Sequence, residues 1–213
     1  MKSSASTLAK GSRTENLHPD FGTYHHTTSR GSEKVRERVK PLFTEAFGDL
    51  PFSRDDELRI LDVGCGLGFL SCISAEHYPN AIITGFDTFD HASLKNSSLA
   101  KAKNNAKILG FSERIRFQKR NFFRSNYSKG KFDLFVSNLV FENFGKKRLN
   151  AYERLAQWAT SKSYIVLGEL FFDYKTDFKR LTNLFGSVHA RPGSMIRGRT
   201  WTYKILVLSG PKE

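Results

Sequence analysis

Three glycines alternate with larger residues in the segment DVGCGLG, at residues 62–68. Glycine readily adopts the positive φ angles of a sharp turn, and it lets a ligand lie directly against the backbone. An apolar strand pattern precedes the segment and an apolar helix pattern follows it. The first N–H groups of a helix are free to donate hydrogen bonds and carry partial positive charge. The segment therefore predicts a loop that binds a carboxylate, a phosphate or a polar adenosyl group.

The spacing of the glycines fits neither common nucleotide-phosphate pattern. The dinucleotide fingerprint G-x-G-x-x-G would require a glycine at position 69, where the chain has Phe69. A phosphate loop of the P-loop type is excluded because no G-K-[ST] follows. A nicotinamide-dependent oxidoreductase remains an alternative, and Phe69 is the observation that argues against it.

The elements around this loop alternate between strands and helices. Strands are predicted at 59–64, 81–87, 114–122, 132–138, 163–172, 186–191 and 200–208, and helices at 32–47, 68–77, 91–109, 146–159 and 175–185. Repeated strand–helix units predict an α/β fold with a doubly wound, mostly parallel sheet of about seven strands. The loop at 192–199 is too short for a crossover helix, so the C-terminal strand should be antiparallel.

The chain divides into three parts by composition. Residues 1–20 are polar and rich in Ser and Lys, which predicts a disordered basic tail. Residues 21–57 should form an N-terminal lid segment and a helix, with Ser32 as its N-cap and Gly48 just beyond its last turn. Residues 58–213 form the main domain.

The motifs together carry a family resemblance. DVGCGLG resembles the first motif of class I methyltransferases, in which an acidic residue opens a G-x-G-x-G loop. Asp87 ends the strand pattern ITGFD, and the segments at 100–117 and 132–144 resemble the later motifs. The chain is therefore similar, over about 58–172, to S-adenosylmethionine-dependent methyltransferases of Rossmann-like fold.

This resemblance implies S-adenosylmethionine as the cofactor and assigns residues to it. Asp87 lies about twenty residues after the glycines, where an acid can bind the ribose hydroxyls. Asn121 stands where the family usually has Asp at the adenine, and its amide oxygen can still accept a hydrogen bond. The implied cofactor-binding residues are Asp62, Gly64, Cys65, Gly66, Gly68, Asp87, Thr88, Asn121, Phe122 and Asn138.

The acceptor side is predicted after the fourth strand. Methyl transfer requires positioning of donor and acceptor, and a base only where the acceptor carries a proton that must leave. Glu142 and Asn143, in SNLVFENF, are the candidate catalytic groups. The segment lacks the prolines of [DNS]-P-P-[YFW], the motif of enzymes that methylate the amino groups of bases, and this absence disfavours that reaction. The segment more closely resembles its counterpart in small-molecule methylases.

The lid segment supplies further substrate-side candidates. In similar enzymes this part of the chain folds over cofactor and substrate, which points to Tyr24, His25, His26 and Arg30, the last for a carboxylate. Adjacent histidines without nearby carboxylate or cysteine partners are a poor metal site, so we predict no metal. The two cysteines are too few for a disulfide framework, and we expect reduced thiols in a cytoplasmic protein.

The net charge of +13 favours a polyanionic partner. Basic and aromatic residues are interleaved at 114–131 and at 189–204, where Arg197 and Arg199 are candidate RNA contacts. Transfer RNA or ribosomal RNA is therefore one possible acceptor. A small-molecule acceptor is one alternative, and a non-catalytic adenosyl-binding partner subunit is another. No apolar run reaches 18 residues, so no transmembrane segment is predicted.

Overall fold

The computed structural model describes residues 18–191, 196–197 and 202–212. The helices within these residues are α1 (Ser29–Gly48), α2 (Phe69–His77), α3 (Leu99–Ile108), α4 (Arg148–Trp158) and α5 (Tyr174–Leu184), with 3-10 turns at Phe122–Arg124 and Phe141–Lys147. The strands are β1 (Thr23–Tyr24), β2 (Arg59–Val63), β3 (Ile82–Asp87), β4 (Leu94–Lys95), β5 (Ile115–Lys119), β6 (Leu134–Asn138), β7 (Tyr164–Phe171), β8 (Phe185–Ala190), β9 (Ile196–Arg197) and β10 (Thr202–Pro211).

The main sheet has the order β5-β3-β2-β6-β7-β10-β8, and β9 pairs with β10. The first five of these strands are parallel, whereas β10 runs antiparallel between β7 and β8. The Rossmann-like, mostly parallel sheet with an antiparallel C-terminal strand is thus confirmed. Because the parallel strands end at one edge, the glycine segment after β2 lies beside the ends of β3 and β6.

Apolar side chains cover both faces of this sheet. On one face α1 contributes Phe43 and Phe47, which pack with Tyr78 after α2. On the other face α4 contributes Tyr152 and Trp158. Burial of a large apolar side chain stabilises a fold by about 1.5–3 kcal/mol. Helices are thereby fixed on both sides of the strand ends that form the site.

The start of the first helix differs from its prediction. The helix begins at Ser29, and the N-cap is Thr28, whose hydroxyl accepts a hydrogen bond from the N–H of Gly31. Ser32 is buried, and its hydroxyl accepts a hydrogen bond from the N–H of Tyr24 at 3.0 Å. Ser32 therefore ties down the preceding segment rather than capping the helix, and Gly48 is the last helical residue.

Two other boundaries were also predicted wrongly. The helix expected over 91–109 begins only at Leu99, after the N-cap Ser98, because residues 94–95 pair as β4 with β1 and Asn96 has a positive φ of 54°. The strand expected over 114–122 ends at Lys119. Asn121 instead caps a 3-10 turn, and its side-chain oxygen accepts hydrogen bonds from the N–H groups of Phe123 and Arg124.

Candidate functional site

The glycine loop has the backbone conformation that its sequence predicts. Gly64, Gly66 and Gly68 have φ angles of +68°, +50° and +86°. A Cβ at Gly64 would lie 2.5 Å from a methyl group of Val140, and one at Gly68 would lie 2.6 Å from the ring of Phe117. A Cβ at Gly66 would approach only the end of the Leu94 side chain, at 2.9 Å. Gly64 and Gly68 are thus required for packing, whereas Gly66 presents bare backbone to the space above it.

Asp87 links this loop to the loop after β3. Its Oδ2 accepts a hydrogen bond from the N–H of Gly66 at 3.0 Å, and its Oδ1 accepts one from the N–H of Phe89 at 2.7 Å. Each carboxylate oxygen has two lone pairs, so each retains acceptor capacity after these bonds. Asp87 is only partly buried and borders the cavity described below, where that capacity is available to a ligand.

Asp62 lies beneath the loop, with 1% of its surface exposed. Its Oδ2 accepts a hydrogen bond from the hydroxyl of Ser71 at 2.5 Å, while Oδ1 has no partner among the described residues. Burial raises the pKa of Asp62 to about 7, against the opposing effect of the Ser71 hydrogen bond. A buried carboxylate oxygen without a partner is costly, and this one belongs to a residue of the cavity wall. It fits a donor group of a bound ligand.

A cavity of about 640 Å³ opens above these residues. Most of the predicted site residues line it: Tyr24, His25, His26, Asp62, Gly64, Cys65, Gly66, Asp87, Thr88, Asn121, Phe122, Asn138, Glu142 and Asn143. Gly68 and Arg30 do not line it, and Arg30 is exposed. Arg199 lies outside the described residues, and of Arg197 only its place in β9 is described.

The lid segment, residues 21–27, lies over one side of the cavity. β1 pairs with β4, and the N–H of His25 donates a hydrogen bond to the carbonyl of Ser93 at 3.0 Å. The guanidinium of Arg36, on α1, donates hydrogen bonds to the carbonyls of Phe21 and Gly22 at 3.3 and 2.9 Å. These bonds hold the segment against both α1 and the chain before α3, which partly closes the cavity.

Cys65 belongs to the glycine loop and is buried. Burial raises the pKa of its thiol well above the usual range, and the charge of Asp62 adds to this effect. A thiol in such surroundings stays protonated and packs as a small apolar group. It therefore shapes the loop without acting as a nucleophile.

The end of β6 carries the polar groups on the opposite wall. The side-chain oxygen of Asn138 accepts a hydrogen bond from the hydroxyl of Tyr203 at 2.8 Å, which fixes the orientation of the amide. The amide of Asn143 donates a hydrogen bond to the carbonyl of Leu139 at 3.0 Å. Asn143 thus stabilises the turn after β6, whereas Asn138 presents its amide at the cavity wall.

The family of the chain follows from a comparison of its sequence with known families. Residues 54–189 match the model of a methyltransferase domain. The chain belongs to this methyltransferase family. Its cofactor is S-adenosylmethionine, and the positive-φ glycines, the half-buried Asp87 and the unpartnered oxygen of Asp62 fit such a group. The sequence matches no curated protein.

Solved structures show the same fold at low sequence identity. The methyltransferase resembles an S-adenosyl-L-methionine-dependent methyltransferase from Methanococcus maripaludis, with 14% identity and a TM-score of 0.59 over 97% of this chain and 99% of the other. It also resembles the [4+2]-cyclase SpnF, with 14% identity and a TM-score of 0.64 over 92% and 89% of the two chains. An O-methyltransferase from Nostoc punctiforme PCC 73102 shares 16% identity and a TM-score of 0.60 over 80% of this chain. The chain spans only 55% of the length of that Nostoc protein.

One functional candidate of this methyltransferase was missed in the sequence. Glu169, in β7, is 1% exposed. Its carboxyl group accepts hydrogen bonds from the N–H groups of Val140 and Phe141 at 3.0 and 3.1 Å, and it lies close to the carboxyl of Glu142. We expected an apolar strand at 163–172, and an acid within such a run was the available signal.

In the basic stretch at 114–131, the residues at 114–117 have mainly structural roles. Ile115 and Phe117 are buried, while Arg116 between them is exposed, as alternation along an edge strand requires. The guanidinium of Arg114 donates hydrogen bonds to the carbonyls of Ala75 and Tyr78 at 2.9 and 3.2 Å. Arg114 thus supports the end of α2. Its positive charge has a role within the fold and is not evidence for a nucleic-acid partner.

Two further expectations concern membranes and metals. None of the helices in the described part of the chain combines the length and apolar character that a membrane crossing needs. Residues 18–191 and 202–212 contain no group of three His, Cys, Asp or Glu side chains arranged to hold a metal ion.

Proposed function

We propose that this methyltransferase transfers the methyl group of S-adenosylmethionine to a small molecule bound in the cavity beneath the lid segment. The observation that carries the proposal is the cavity itself. Its volume of about 640 Å³ lies within the usual range of small-molecule sites, about 300–1,000 Å³. Aromatic and aliphatic side chains form much of its wall, and the lid segment covers part of its mouth.

The cofactor end of the cavity is assigned to the strand ends of β2, β3 and β5. Asp87 would accept hydrogen bonds from the ribose hydroxyls with its remaining lone pairs, and the backbone at Gly66 would face the donor. Asn121 and Phe122 would lie beside the adenine, although the side-chain oxygen of Asn121 already accepts hydrogen bonds from the N–H groups of its own turn. Thr88 lines the same cavity. S-adenosylmethionine supplies a methyl group already activated by its sulfonium charge. The chain therefore has to orient the acceptor and exclude water from the reacting atoms.

The acceptor end is assigned to the wall formed after β6 and by the lid segment. Asn138, which the family resemblance assigned to the cofactor, has its amide fixed by Tyr203, and we reassign it to a polar group of the acceptor. Glu142 directly follows Val140 and Phe141, whose N–H groups hold Glu169, and it lines the same cavity. Tyr24 and His25 face it from the lid. These polar groups lie at one end of the cavity, so they would bind a small acceptor through the polar group that receives the methyl.

RNA is the second candidate acceptor, and the net charge of +13 is the observation that favours it. Lys and Arg contacts to phosphates release counterions, so RNA affinity should fall with salt, with a log–log slope of about −0.7 per phosphate contacted on a single strand. S-adenosylmethionine binding should be nearly independent of salt. Salt-dependent RNA retention that weakens in an Arg197→Ala, Arg199→Ala variant would support this candidate.

Binding of the donor is tested by calorimetry. Charge-assisted hydrogen bonds contribute about 1.5–3 kcal/mol each, so Asp87→Ala should lower the affinity for S-adenosylmethionine at least about a hundredfold. Asp55→Ala removes an exposed carboxylate that does not line the cavity and is the matched control. Wild-type affinity in Asp87→Ala would remove Asp87 from the site. Heat from NAD would instead favour an oxidoreductase.

The acceptor class is tested by transfer of a labelled methyl group from S-adenosylmethionine into separated RNA and small-metabolite fractions of a cell extract. Label in the metabolite fraction is the expected result. Label confined to RNA would overturn the small-molecule proposal in favour of the RNA candidate. Donor binding without transfer into either fraction would favour a non-catalytic adenosyl-binding subunit.

A further inference from the structure

We propose that Glu142 and Glu169 share one proton, and that Glu142 takes up the proton released by the methyl acceptor while Glu169 positions it. This inference rests on the proposed function and deepens it, because it requires an acceptor whose attacking atom carries a proton. Hydroxyl and amine groups meet that requirement, whereas a carbon acceptor activated elsewhere or a tertiary amine does not.

The contacts of Glu169 identify it as the fixed member of the pair. Its carboxyl is buried between β7 and the turn after β6, where the N–H groups of Val140 and Phe141 donate to it at 3.0 and 3.1 Å. The hydroxyl of Ser137 lies 3.3 Å from its Oε1. These donors come from backbone and from a buried side chain, so the position of the Glu169 carboxyl is set by the fold.

Glu142 is the member that faces the cavity. It lines the cavity wall, and its Oε2 is buried without a hydrogen-bond partner among the described residues. The carboxyls of Glu142 and Glu169 lie close enough for each to shift the pKa of the other, and in such a pair one carboxyl carries a proton. Two ionised carboxylates in contact would repel each other strongly.

Burial places that proton on Glu169, which is 1% exposed, whereas Glu142 is only partly buried and borders the cavity, where a charge is better solvated. Burial raises the pKa of Glu169 well above its usual range and the neighbouring Glu142 raises it further, against the opposing effect of the hydrogen bonds from the N–H groups of Val140 and Phe141. Burial also raises the pKa of Glu142, but the hydrogen bond from Glu169 and the charges of His25 and His91 oppose that rise. Tyr24, Tyr152 and Tyr203 are the other titratable groups facing the pair. Glu142 is therefore the carboxylate, and Glu169 donates to it.

The proposed step is balanced in protons and electrons. The proton of the acceptor X–H moves to the carboxylate of Glu142. An electron pair of X forms the bond to the methyl carbon, the carbon–sulfur bond breaks, and its electron pair neutralises the sulfonium. Glu142 then returns the proton to water at the cavity mouth. Proton transfer to a positioned side chain typically contributes about 10²–10⁴-fold to a rate.

The shared proton is tested by urea unfolding of wild type and Glu169→Gln across the pH range above the ordinary Glu pKa of about 4.3. The folded pair keeps a proton that the unfolded chain has lost, so wild-type stability falls as pH rises. The unfolding equilibrium constant should rise up to about tenfold more per pH unit in wild type than in Glu169→Gln. Asp62 is present in both proteins, so its own titration cancels.

Controls and a second measurement keep this test decisive. Glu113→Gln removes an exposed carboxyl from a loop outside the cavity and should keep the wild-type pH dependence. Identical pH dependence in wild type and Glu169→Gln would overturn the shared proton. If Glu169→Gln does not fold, carbon-13 spectra of wild type labelled at glutamate carboxyls decide. One protonated carboxyl should persist at neutral pH, and its absence would overturn the proposal.

The role in methyl transfer is tested with labelled S-adenosylmethionine and the small-metabolite fraction that accepts the methyl group. Glu142→Gln should lower transfer by about 10²–10⁴-fold while donor affinity stays within twofold. Glu169→Leu removes the donor to Glu142 and should move the pH of half-maximal transfer upward, whereas Glu169→Gln restores an N–H donor and should return it toward the wild-type value. Undiminished transfer in Glu142→Gln would overturn the proposal and leave the proposed function standing. Wild type that binds the donor but transfers no methyl group would overturn both.

Discussion

The glycine loop permits a sharp comparison between two substitutions of the same size. Gly66→Ala and Gly68→Ala each add one methyl group at a position of positive φ, two residues apart. At Gly68 the methyl group would lie 2.6 Å from the ring of Phe117, a buried residue of β5. At Gly66 it would meet only the tip of Leu94, at 2.9 Å, and otherwise enters the cavity. The first change should therefore damage the fold and the second the binding site.

The magnitudes follow from these contacts. An alanine held in the left-handed region costs about 1–2 kcal/mol, and both variants carry that cost. Overpacking of the core adds about 1–3 kcal/mol, which applies to Gly68→Ala because Phe117 is a buried core residue. We expect the free energy of unfolding to fall by about 1–2 kcal/mol in Gly66→Ala and by about 2–5 kcal/mol in Gly68→Ala.

Urea unfolding and calorimetry with S-adenosylmethionine together provide the assay. Gly66→Ala should remain folded and lose donor affinity at least about tenfold, because 1.4 kcal/mol of steric conflict already has that effect. Gly68→Ala should lose more stability than Gly66→Ala. The part of it that folds should lose less affinity for S-adenosylmethionine than Gly66→Ala does. Equal destabilisation of the two variants, or full donor affinity in Gly66→Ala, would refute the inference that a ligand lies against Gly66.

Three further predictions concern the surroundings of the cavity. Because the pKa of Asp62 is about 7 in the folded protein, the free energy of unfolding falls by at most about 1.4 kcal/mol per pH unit as pH rises from about 4 to 7. Asp62→Asn should flatten that slope in urea unfolding. An unchanged slope would count against the raised pKa of Asp62. Arg36→Ala frees the carbonyls of residues 21–22 and should speed chymotrypsin cleavage there several-fold, whereas unchanged cleavage would show that the lid segment is held by other contacts. Tyr203→Phe removes the bond to Asn138 and should cost about 0.5–1.5 kcal/mol in thermal unfolding; no loss would mean that water replaces it.

The layout of the sheet and the place of the cofactor residues could be predicted because they depend on local patterns. Strand and helix periods alternate along the chain, and parallel strands present their ends at one edge. That rule alone brings Asp87 to Gly66, although 21 residues separate them. The antiparallel C-terminal strand followed from the same kind of reasoning, since 192–199 is too short for a crossover helix.

The parts that sequence reasoning missed depend on contacts between distant segments. Residues 94–95 carry a pattern compatible with a helix, but they pair with residues 23–24, and this pairing delays α3 until Leu99. Ser32 has the residue type of an N-cap, yet its hydroxyl is occupied by the N–H of Tyr24. Local propensity was outweighed in both cases by the docking of the lid segment, which no pattern within either segment reveals.

Glu169 shows how such a residue could have been found. Within an apolar strand a single acid is easily dismissed, but full burial of a carboxyl is rare unless it has partners. The parallel register pairs Asn138 with Gly168, so the residue after Gly168 must lie beside the turn that leaves β6. That turn supplies the free N–H groups of Val140 and Phe141, and it also carries Glu142. An acid in the central sheet, one position beyond the partner of a predicted site residue, is therefore itself a predictable member of the site.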